Sequence, residues 1–384
     1  MLTDLLLWEE NLIDGERMNH IALYRKYRPK TFEEVIGQDH ITKTLQNQIE
    51  NDQIGHAYLF TGTRGTGKTS VAKIFAKAAN CLKPVHGSPC GECENCKRLE
   101  QENDINIIEI DAASNNKVDD IRQIREKVKF MPVGAKYKVY IVDEVHMLSD
   151  SAFNALLKTL EEPPSYVIFI LATTEVHKLP QTILSRCVRF DFRLVSVDEL
   201  VKHLSKVFDK EGIKYDEESL KIIASAGEGS VRDTLSIADS ISAYCQGNIT
   251  KEKTLEVLGT TDHDLIIRFF DKIKDKDVGG VLSLIDEIEK EGKNLAVFSK
   301  DLSRHARNLL VCKSCENSNE ILNLTDEIYE MYKTQSEKFS EKELINYMQV
   351  FSGAESELRY TLSVRLLLET TCLSAMLGFE SKKN

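Results

Sequence analysis

The sequence predicts an α/β fold in which a parallel five-stranded sheet is covered by helices, followed by two all-helical domains. Three observations carry this. Five apolar runs alternate with helical periodicity between His56 and Val195, a glycine-rich loop follows the first run, and strand signals stop after Val195. The chain has 384 residues, enough for two or three domains that each bury a core without staples.

In chain order, residues 1–20 hold five acids (Asp4, Glu9, Glu10, Asp14, Glu16) and one base, Arg17, whereas Leu23 to Lys30 holds four bases and no acid. The composition breaks near Met18; the first seventeen residues read as an upstream extension or a misplaced start without function, and 1–20 is expected to be a disordered N-terminal extension. The strands are expected at Ala57 to Thr61, Ile107 to Asp111, Lys138 to Asp143, Val167 to Ala172 and Val188 to Phe192. They belong to a domain over 21–195. Helices at Ser196 to Asp209, Glu217 to Ala226 and Ser230 to Tyr244, broken at Gly212 and Gly227-Glu228-Gly229, form a small domain over 196–258. A third domain over 259–384 carries helices at Asp262 to Lys274, Val278 to Glu291, Leu295 to Cys312, Ser318 to Phe339 and Lys342 to Leu377, the last with a break expected at Gly353.

The formal charge of −11, on a chain that is 42% hydrophobic and 29% charged, excludes a binder that attracts nucleic acid over its whole surface. Any DNA contact must be local. No apolar run approaches the roughly 18 residues of a membrane span, and Leu5-Leu6-Leu7-Trp8 lies between acids, unlike a signal peptide. The expected location is the cytoplasm, where the nine cysteines are reduced thiols or metal thiolates.

Behind the first strand, Gly62-Thr63-Arg64-Gly65-Thr66-Gly67-Lys68-Thr69 fits the pattern G-x-x-x-x-G-K-[ST], and a helix pattern starts directly after it. Glycines let loop amides and a helix N-terminus close around phosphate oxygens. Lys68 is expected on the outer phosphates and the Thr69 hydroxyl on Mg²⁺. The apolar strand ending at Asp143-Glu144 adds a second carboxylate site, with Asp143 holding Mg²⁺ through water and Glu144 orienting and deprotonating the attacking water. Together these read as a nucleoside triphosphatase using Mg²⁺. His146 adjoins the pair, but a single histidine is more often structural and is left out of the site. Hydrolysis needs a further cation; Arg186 and Arg232 are offered, although either taken alone reads as a surface arginine.

Cys81, Cys90, Cys93 and Cys96 give C-x8-C-x2-C-x2-C within an insert over 81–96. Four thiols this close can close a tetrahedral shell around a structural Zn²⁺. Unligated thiols and an iron–sulfur cluster are the alternatives, the second lacking the trailing x3-C-P, and His86 could replace one cysteine. Cys312-Lys313-Ser314-Cys315 reads as incidental.

The combination of Tyr27-Arg28-Pro29-Lys30-Thr31-Phe32, Val35-Ile36-Gly37-Gln38, the phosphate loop, the four cysteines, Asp111-Ala112-Ala113-Ser114-Asn115, Asp143-Glu144-Val145-His146 and Ser185-Arg186-Cys187 closely resembles the gamma/tau subunits of the bacterial DNA polymerase III clamp loader, which are AAA+ ATPases. The resemblance runs from Leu23 to the C-terminal helices. It implies an AAA+ domain with a zinc module, a helical lid and an oligomerising helical collar. It also implies that Ser70 binds nucleotide with the phosphate loop, that Arg28, Pro29, Val35 and Ile36 pack on adenine, that Thr174 is sensor 1, that Arg232 is sensor 2, and that Arg186 is an arginine finger reaching the neighbouring subunit's ATP. Partners implied are delta-type and delta-prime-type subunits, further copies of the chain in a five-subunit assembly, the sliding clamp and primer–template DNA, with no membrane, at a replisome on the nucleoid. Lys117, Arg122 and Arg125 are candidates for DNA phosphate contacts by analogy, against the reading of a solvated helix face. Polymerase activity would be held by association alone, since no separate palm-like carboxylate site is present. Ending at Asn384, the chain is expected to be of gamma length or a fragment of a longer tau form. A branch-migration motor and an inactive loader scaffold are the rival readings; the cysteine insert and Ser185-Arg186-Cys187 speak against the first, and the intact phosphate loop against the second.

Overall fold

The computed structural model describes residues 21–99, 104–115, 118–258, 263–290, 295–322, 326–358, 361 and 363–377. The acidic stretch 1–20 and Lys117 lie outside the described residues, as do the side chains of Arg122 and Arg125. The chain divides into two compact units, Met1–Thr254 and Leu255–Asn384.

In the first unit, β1 (Ala57–Thr61), β2 (Ile107–Asp111), β3 (Lys138–Asp143), β4 (Val167–Thr173) and β5 (Val188–Asp191) form one sheet in the order β2-β3-β4-β1-β5, with every pairing parallel. Strands β1 and β4 are buried along their whole length, and β3 along all but its last residue. That is why they read as unbroken apolar runs: helices cover both faces. Alternation still sorts the side chains. Tyr58 and Phe60 of β1, Val139 and Ile141 of β3, and Ile168, Ile170 and Ala172 of β4 enter one core, with Ile41 and Leu45 of α1 (Asp39–Glu50) and Val71, Ile74 and Phe75 of α2 (Lys68–Ala79). Ala57, Leu59, Tyr140, Val142, Phe169 and Leu171 enter the opposite core, with Ile121 and Ile124 of α3 (Val118–Val128) and Phe153 and Leu156 of α4 (Asp150–Glu161). Phe75 is fully buried beside Tyr58, so its truncation to alanine should cost about 3–5 kcal/mol.

Register brings the carboxyl ends of the strands level. Thr61 lies opposite Thr173 on one side and Asp191 on the other, and Asp143 lies opposite Asp111. A row of polar side chains therefore caps the apolar sheet where a parallel sheet places its ligands.

Helices α5 (Val197–Glu211), α6 (Glu217–Ala226) and α7 (Val231–Cys245) follow. Each starts on a side-chain cap, from Ser196, Asp216 and Ser230 in turn, and Ser196 with Glu199 makes a full capping box. Strand pairing does not stop at Val195: β6 (Lys214–Tyr215) and β7 (Asn248–Ile249) form a two-residue parallel pair too short to leave a periodicity in the sequence. Gln38 is fully buried and bonds the Arg193 backbone on both sides, its amide donating to the carbonyl at 2.7 Å and its oxygen accepting from the N–H at 3.1 Å. That fixes the chain where it leaves the sheet for the helices.

The second unit is helical: α8 (His263–Lys274), α9 (Val278–Lys290), α10 (Leu295–Ser314), α11 (Asp326–Glu337), α12 (Glu341–Leu358) and α13 (Val364–Leu377), with a short helix at Ser318–Leu322. Phe269, Phe270, Ile285, Leu302, Leu309, Phe339, Phe351 and Leu368 make its core. Gly353 does not break α12, which continues to Leu358; a Cβ there would meet nothing within 4 Å, so the glycine sits on an open helical face rather than at a turn. Among the described residues no helix is long and apolar enough to cross a membrane.

Candidate nucleotide site and cysteine centre

The loop between β1 and α2 holds Gly62, Gly65 and Gly67 at φ of 139°, 77° and 104°, values that favour glycine. A methyl group on Gly62 would collide with the backbone carbonyl of Phe192, so the close approach also requires glycine. The curled loop places Lys68 at the first position of α2, where the helix N-terminus and its free amides attract anions. Lys68 is 6% exposed, and its ammonium donates to the carbonyls of Gly62 and Thr63 at 2.7 and 2.8 Å. Burial lowers its pKa, while the carboxylates of Glu144 and Asp143 push it back up. Thr66 donates to the Thr63 carbonyl at 2.9 Å and stiffens the loop; Thr63 and Arg64 are exposed at its rim.

Across the loop, the Thr69 hydroxyl donates to Asp143 Oδ2 at 2.7 Å. Neighbouring ligands of an octahedral Mg²⁺ stand about 2.9 Å apart, so the two oxygens suit one small divalent cation. Glu144 follows at φ 47°, ψ 45°, a left-handed conformation that costs a non-glycine residue about 1–3 kcal/mol and is kept only where neighbours enforce it. Its carboxylate accepts from Thr174 Oγ1 at 3.1 Å. Lys68, Thr69, Asp143, Glu144 and Thr174 are thus joined at the ends of β1, β3 and β4.

The sequence reading left out His146, and the structure puts it in this group. Its ring is almost buried, with Nδ1 3.0 Å from Thr173 Oγ1 and 3.5 Å from Glu144 Oε2, and Nε2 3.1 Å from Glu175 Oε2. Nothing in local sequence separates such a histidine from a packed one; only the β3–β4 pairing does. Thr61 and Asp191 are hydrogen-bonded at the β1–β5 end, a second pair that sequence patterning does not mark.

Arg28 Nε donates to Ser70 Oγ at 3.1 Å, which ties the segment after Leu23 to the first turn of α2. Pro29 and Ile36 are half-buried, and Val35 is buried in the core that also takes Val71 and Phe75 of α2. Arg232, near the start of α7, donates its backbone N–H to the Gly65 carbonyl at 3.4 Å, and its guanidinium lies 5.2 Å from the Tyr24 ring centroid. Arg186 differs. Its guanidinium donates to the Thr182 carbonyl at 2.7 Å, Ser185 Oγ at 3.3 Å and Glu161 at 2.7 Å, partners outside the phosphate loop, and it is partly open to solvent.

The thiols of Cys81, Cys90, Cys93 and Cys96 lie within 4.8 Å of one another. Cys81 to Cys93 and Cys90 to Cys96 are each 3.9 Å, against about 3.8 Å for the edge of a tetrahedral Zn–thiolate shell. Backbone amides point at the sulfurs: Cys90 N to Cys81, Cys93 N to Cys90 and Cys96 N to Cys93, each at 3.4 Å. Burial alone would raise the Cys93 thiol, but amides of Leu82 and Cys96 and the neighbouring thiols hold it down at about 6. Burial raises Cys96 and Cys81. The set fits a closed zinc site. His86 does not join the cluster, and its backbone carbonyl accepts from Gln46 Nε2 at 2.8 Å.

Three family profiles match: DNA polymerase III, delta subunit, over 37–196; DNA polymerase III clamp loader subunit, ATPase lid domain, over 199–247; and DNA polymerase III subunits gamma and tau domain III, over 249–381. The DNA polymerase III subunit tau of Bacillus subtilis is 44% identical over 352 residues, 92% of this chain and 62% of the relative. The DNA polymerase III subunit gamma of Buchnera aphidicola is 41% identical over 261 residues, 68% of this chain and 70% of the relative. Among solved structures, a Thermotoga maritima RuvB variant aligns with 81% of this chain and 91% of its own at 17% identity, with a TM-score of 0.48. The chain spans less than two thirds of the Bacillus subtilis relative and 43% of the Escherichia coli tau subunit. On the identity and coverage shared with the gamma subunit, the chain belongs to the gamma/tau family of DNA polymerase III clamp loader subunits.

Proposed function

We propose that the chain is an ATP-hydrolysing subunit of a clamp loader, which uses ATP binding and hydrolysis to open a sliding clamp and place it on primer–template DNA. The observation that carries this reading is the convergence of Lys68, Thr69, Asp143, Glu144 and Thr174 on one glycine loop, while Arg186 bonds elsewhere.

In this reading the loop amides from Gly62 to Gly67, with Lys68, Thr69 and Ser70, hold the triphosphate, and Arg28, Pro29, Val35 and Ile36 flank the base. Thr69 and Asp143 would hold a Mg²⁺ ion, which would supply charge neutralisation of the phosphate oxygens. Glu144 takes a proton from the attacking water as the water oxygen bonds to the outer phosphorus and the bridging P–O bond breaks, giving ADP and phosphate. Thr174 orients Glu144 and senses the outer phosphate. Arg232, beside Gly65 at the start of α7, reports nucleotide state to the lid. Arg186 serves the ATP of an adjacent subunit, which makes hydrolysis depend on assembly. Cys81, Cys90, Cys93 and Cys96 hold a structural Zn²⁺.

The partners are delta-type and delta-prime-type subunits and further copies of the chain in a five-subunit ring, the clamp, and primed DNA at a cytoplasmic, nucleoid-associated replisome. Its place in the polymerase III holoenzyme is by assembly, without polymerase chemistry of its own. The lid over 196–258 and the collar over 259–384 supply nucleotide response and oligomerisation. The test is ATP turnover by the reconstituted loader with and without clamp plus primed DNA. Stimulation by both supports the reading, and full-speed turnover by the isolated chain, indifferent to clamp and DNA, overturns it.

A further inference from the structure

We propose that His146 is a positioning residue for hydrolysis: it braces the turn that carries Glu144 against the end of β4, so that Glu144 stays aimed over the phosphate loop. The inference rests on the ATP-hydrolase reading and deepens it.

Both ring nitrogens have partners. Nε2 faces the Glu175 carboxylate at 3.1 Å and donates to it, while Nδ1 lies 3.0 Å from the Thr173 hydroxyl and 3.5 Å from Glu144 Oε2. The Thr173 oxygen in turn accepts from the Glu175 backbone N–H at 3.0 Å. The circuit closes with no polar atom of the ring left over. Lys178, 2.6 Å from the Glu175 carboxylate, keeps that carboxylate ionised as an acceptor.

Both ends of the circuit are anchored. Thr173 is fully buried and lies opposite Thr61, the last residue before the phosphate loop. Met147 N donates to the Glu144 carbonyl at 2.8 Å, so His146 sits inside the single helical turn that begins at Glu144. The left-handed backbone of Glu144 needs such restraint, since the conformation is unfavourable for any side chain. Thr174 donates to Glu144 Oε2 at 3.1 Å, and His146 Nδ1 lies 3.5 Å from the same oxygen while its ring is tied to the end of β4. Without the ring, the turn is free to relax to an ordinary backbone conformation, and the carboxylate swings off its line. Nucleotide contacts of the loop, which do not pass through His146, are unaffected.

The experiment compares the full-length chain with His146→Ala, His146→Gln, Glu175→Ala and the double variant His146→Ala/Glu175→Ala, each in the reconstituted loader. ATP affinity is read by equilibrium binding and turnover at saturating ATP. His146→Ala should lower turnover by about tenfold or more with affinity unchanged within about twofold. Glutamine can donate to Glu175 and should restore part of the loss. Glu175 is partly exposed, so Glu175→Ala folds and should lower turnover in the same direction. The double variant should be no slower than His146→Ala, because both changes cut one circuit. Equal turnover by His146→Ala and the parent protein overturns the inference alone. So does a parallel loss of affinity and turnover in His146→Ala that glutamine fails to relieve, since that marks a purely structural role. A parent assembly that binds ATP without hydrolysing it overturns the hydrolase reading, and this inference with it.

Discussion

The Thr69 hydroxyl and the Asp143 carboxylate meet at 2.7 Å across the end of the sheet, joining the first turn of α2 to the last residue of β3. The contact makes the phosphate loop and the carboxylate site one unit. Lys68 extends it, buried under the loop and between the carbonyls of Gly62 and Thr63. In the proposed site Lys68→Ala removes the lysine charge assigned to the outer phosphates, and ATP binding by the full chain should be lost. Equilibrium binding measures this. Unchanged nucleotide affinity would remove Lys68 from the site.

Arg186→Ala should behave differently. The guanidinium bonds Glu161, Thr182 and Ser185 and none of the loop, so ATP affinity of the isolated chain should be unchanged. A trans-acting arginine is worth about 10³–10⁵ in rate, and the assembled loader should lose turnover on that scale. Equal hydrolysis by parent and variant assemblies would sink the finger role.

How much of this was legible beforehand follows from which interactions are local. β1, β2 and β3 fall on the runs read from sequence, β4 gains Thr173 and β5 ends at Asp191. Strands buried on both faces leave an unbroken apolar run, and a glycine loop constrains its own backbone, so both show in one stretch of chain. The cysteines are legible for the same reason. The strand order is not, because β1 lies between β4 and β5 through pairings more than a hundred residues apart. The setting of His146 is not legible in the sequence because its partners, Thr173 and Glu175, arrive from another strand end. Gly353 misled because a helix tolerates a glycine whose face meets nothing.

The cysteine centre is also joined to the segment before α1. Ser88 accepts from the Phe32 N–H at 3.1 Å and donates to Glu33 at 2.7 Å, and Gln46 bonds both Glu33 and the His86 carbonyl. A Cβ on Gly87 would strike the Gln46 backbone, so the insert docks closely. Phe32 precedes Val35 and Ile36, and Arg28 lies on its other side. Metal analysis should return about one zinc per chain, and a brown iron chromophore would overturn the zinc assignment. Removing the metal with a chelator, or cutting the dock with Ser88→Ala, should weaken nucleotide binding by roughly threefold to tenfold as the segment loosens. Affinity that ignores both treatments would show the insert to be independent of the nucleotide segment.

In the second unit, Lys274 of α8 grips Glu343 of α12 at 2.9 and 3.0 Å, and Glu343 also accepts from the Ser340 backbone and hydroxyl at 2.8 Å each. Burial works to raise the Glu343 carboxyl, but these donors outweigh it and hold it at about 2, against an ordinary 4.5. A carboxylate depressed in the folded state stabilises the fold while pH stays above its unfolded value, and the contribution is lost as pH falls through the folded one. The window is therefore about pH 4.5 down to 2, and both side chains are about a third exposed, so solvent screening keeps the effect small. Amide hydrogen exchange along α12, taken relative to the intrinsic rate of an unstructured amide at each pH, should speed up across that window in the parent chain. Glu343→Gln cannot titrate, so its exchange should start faster and change less with acid. Identical acid dependence in parent and variant would show that the Lys274 pair contributes nothing to holding α12 against α8.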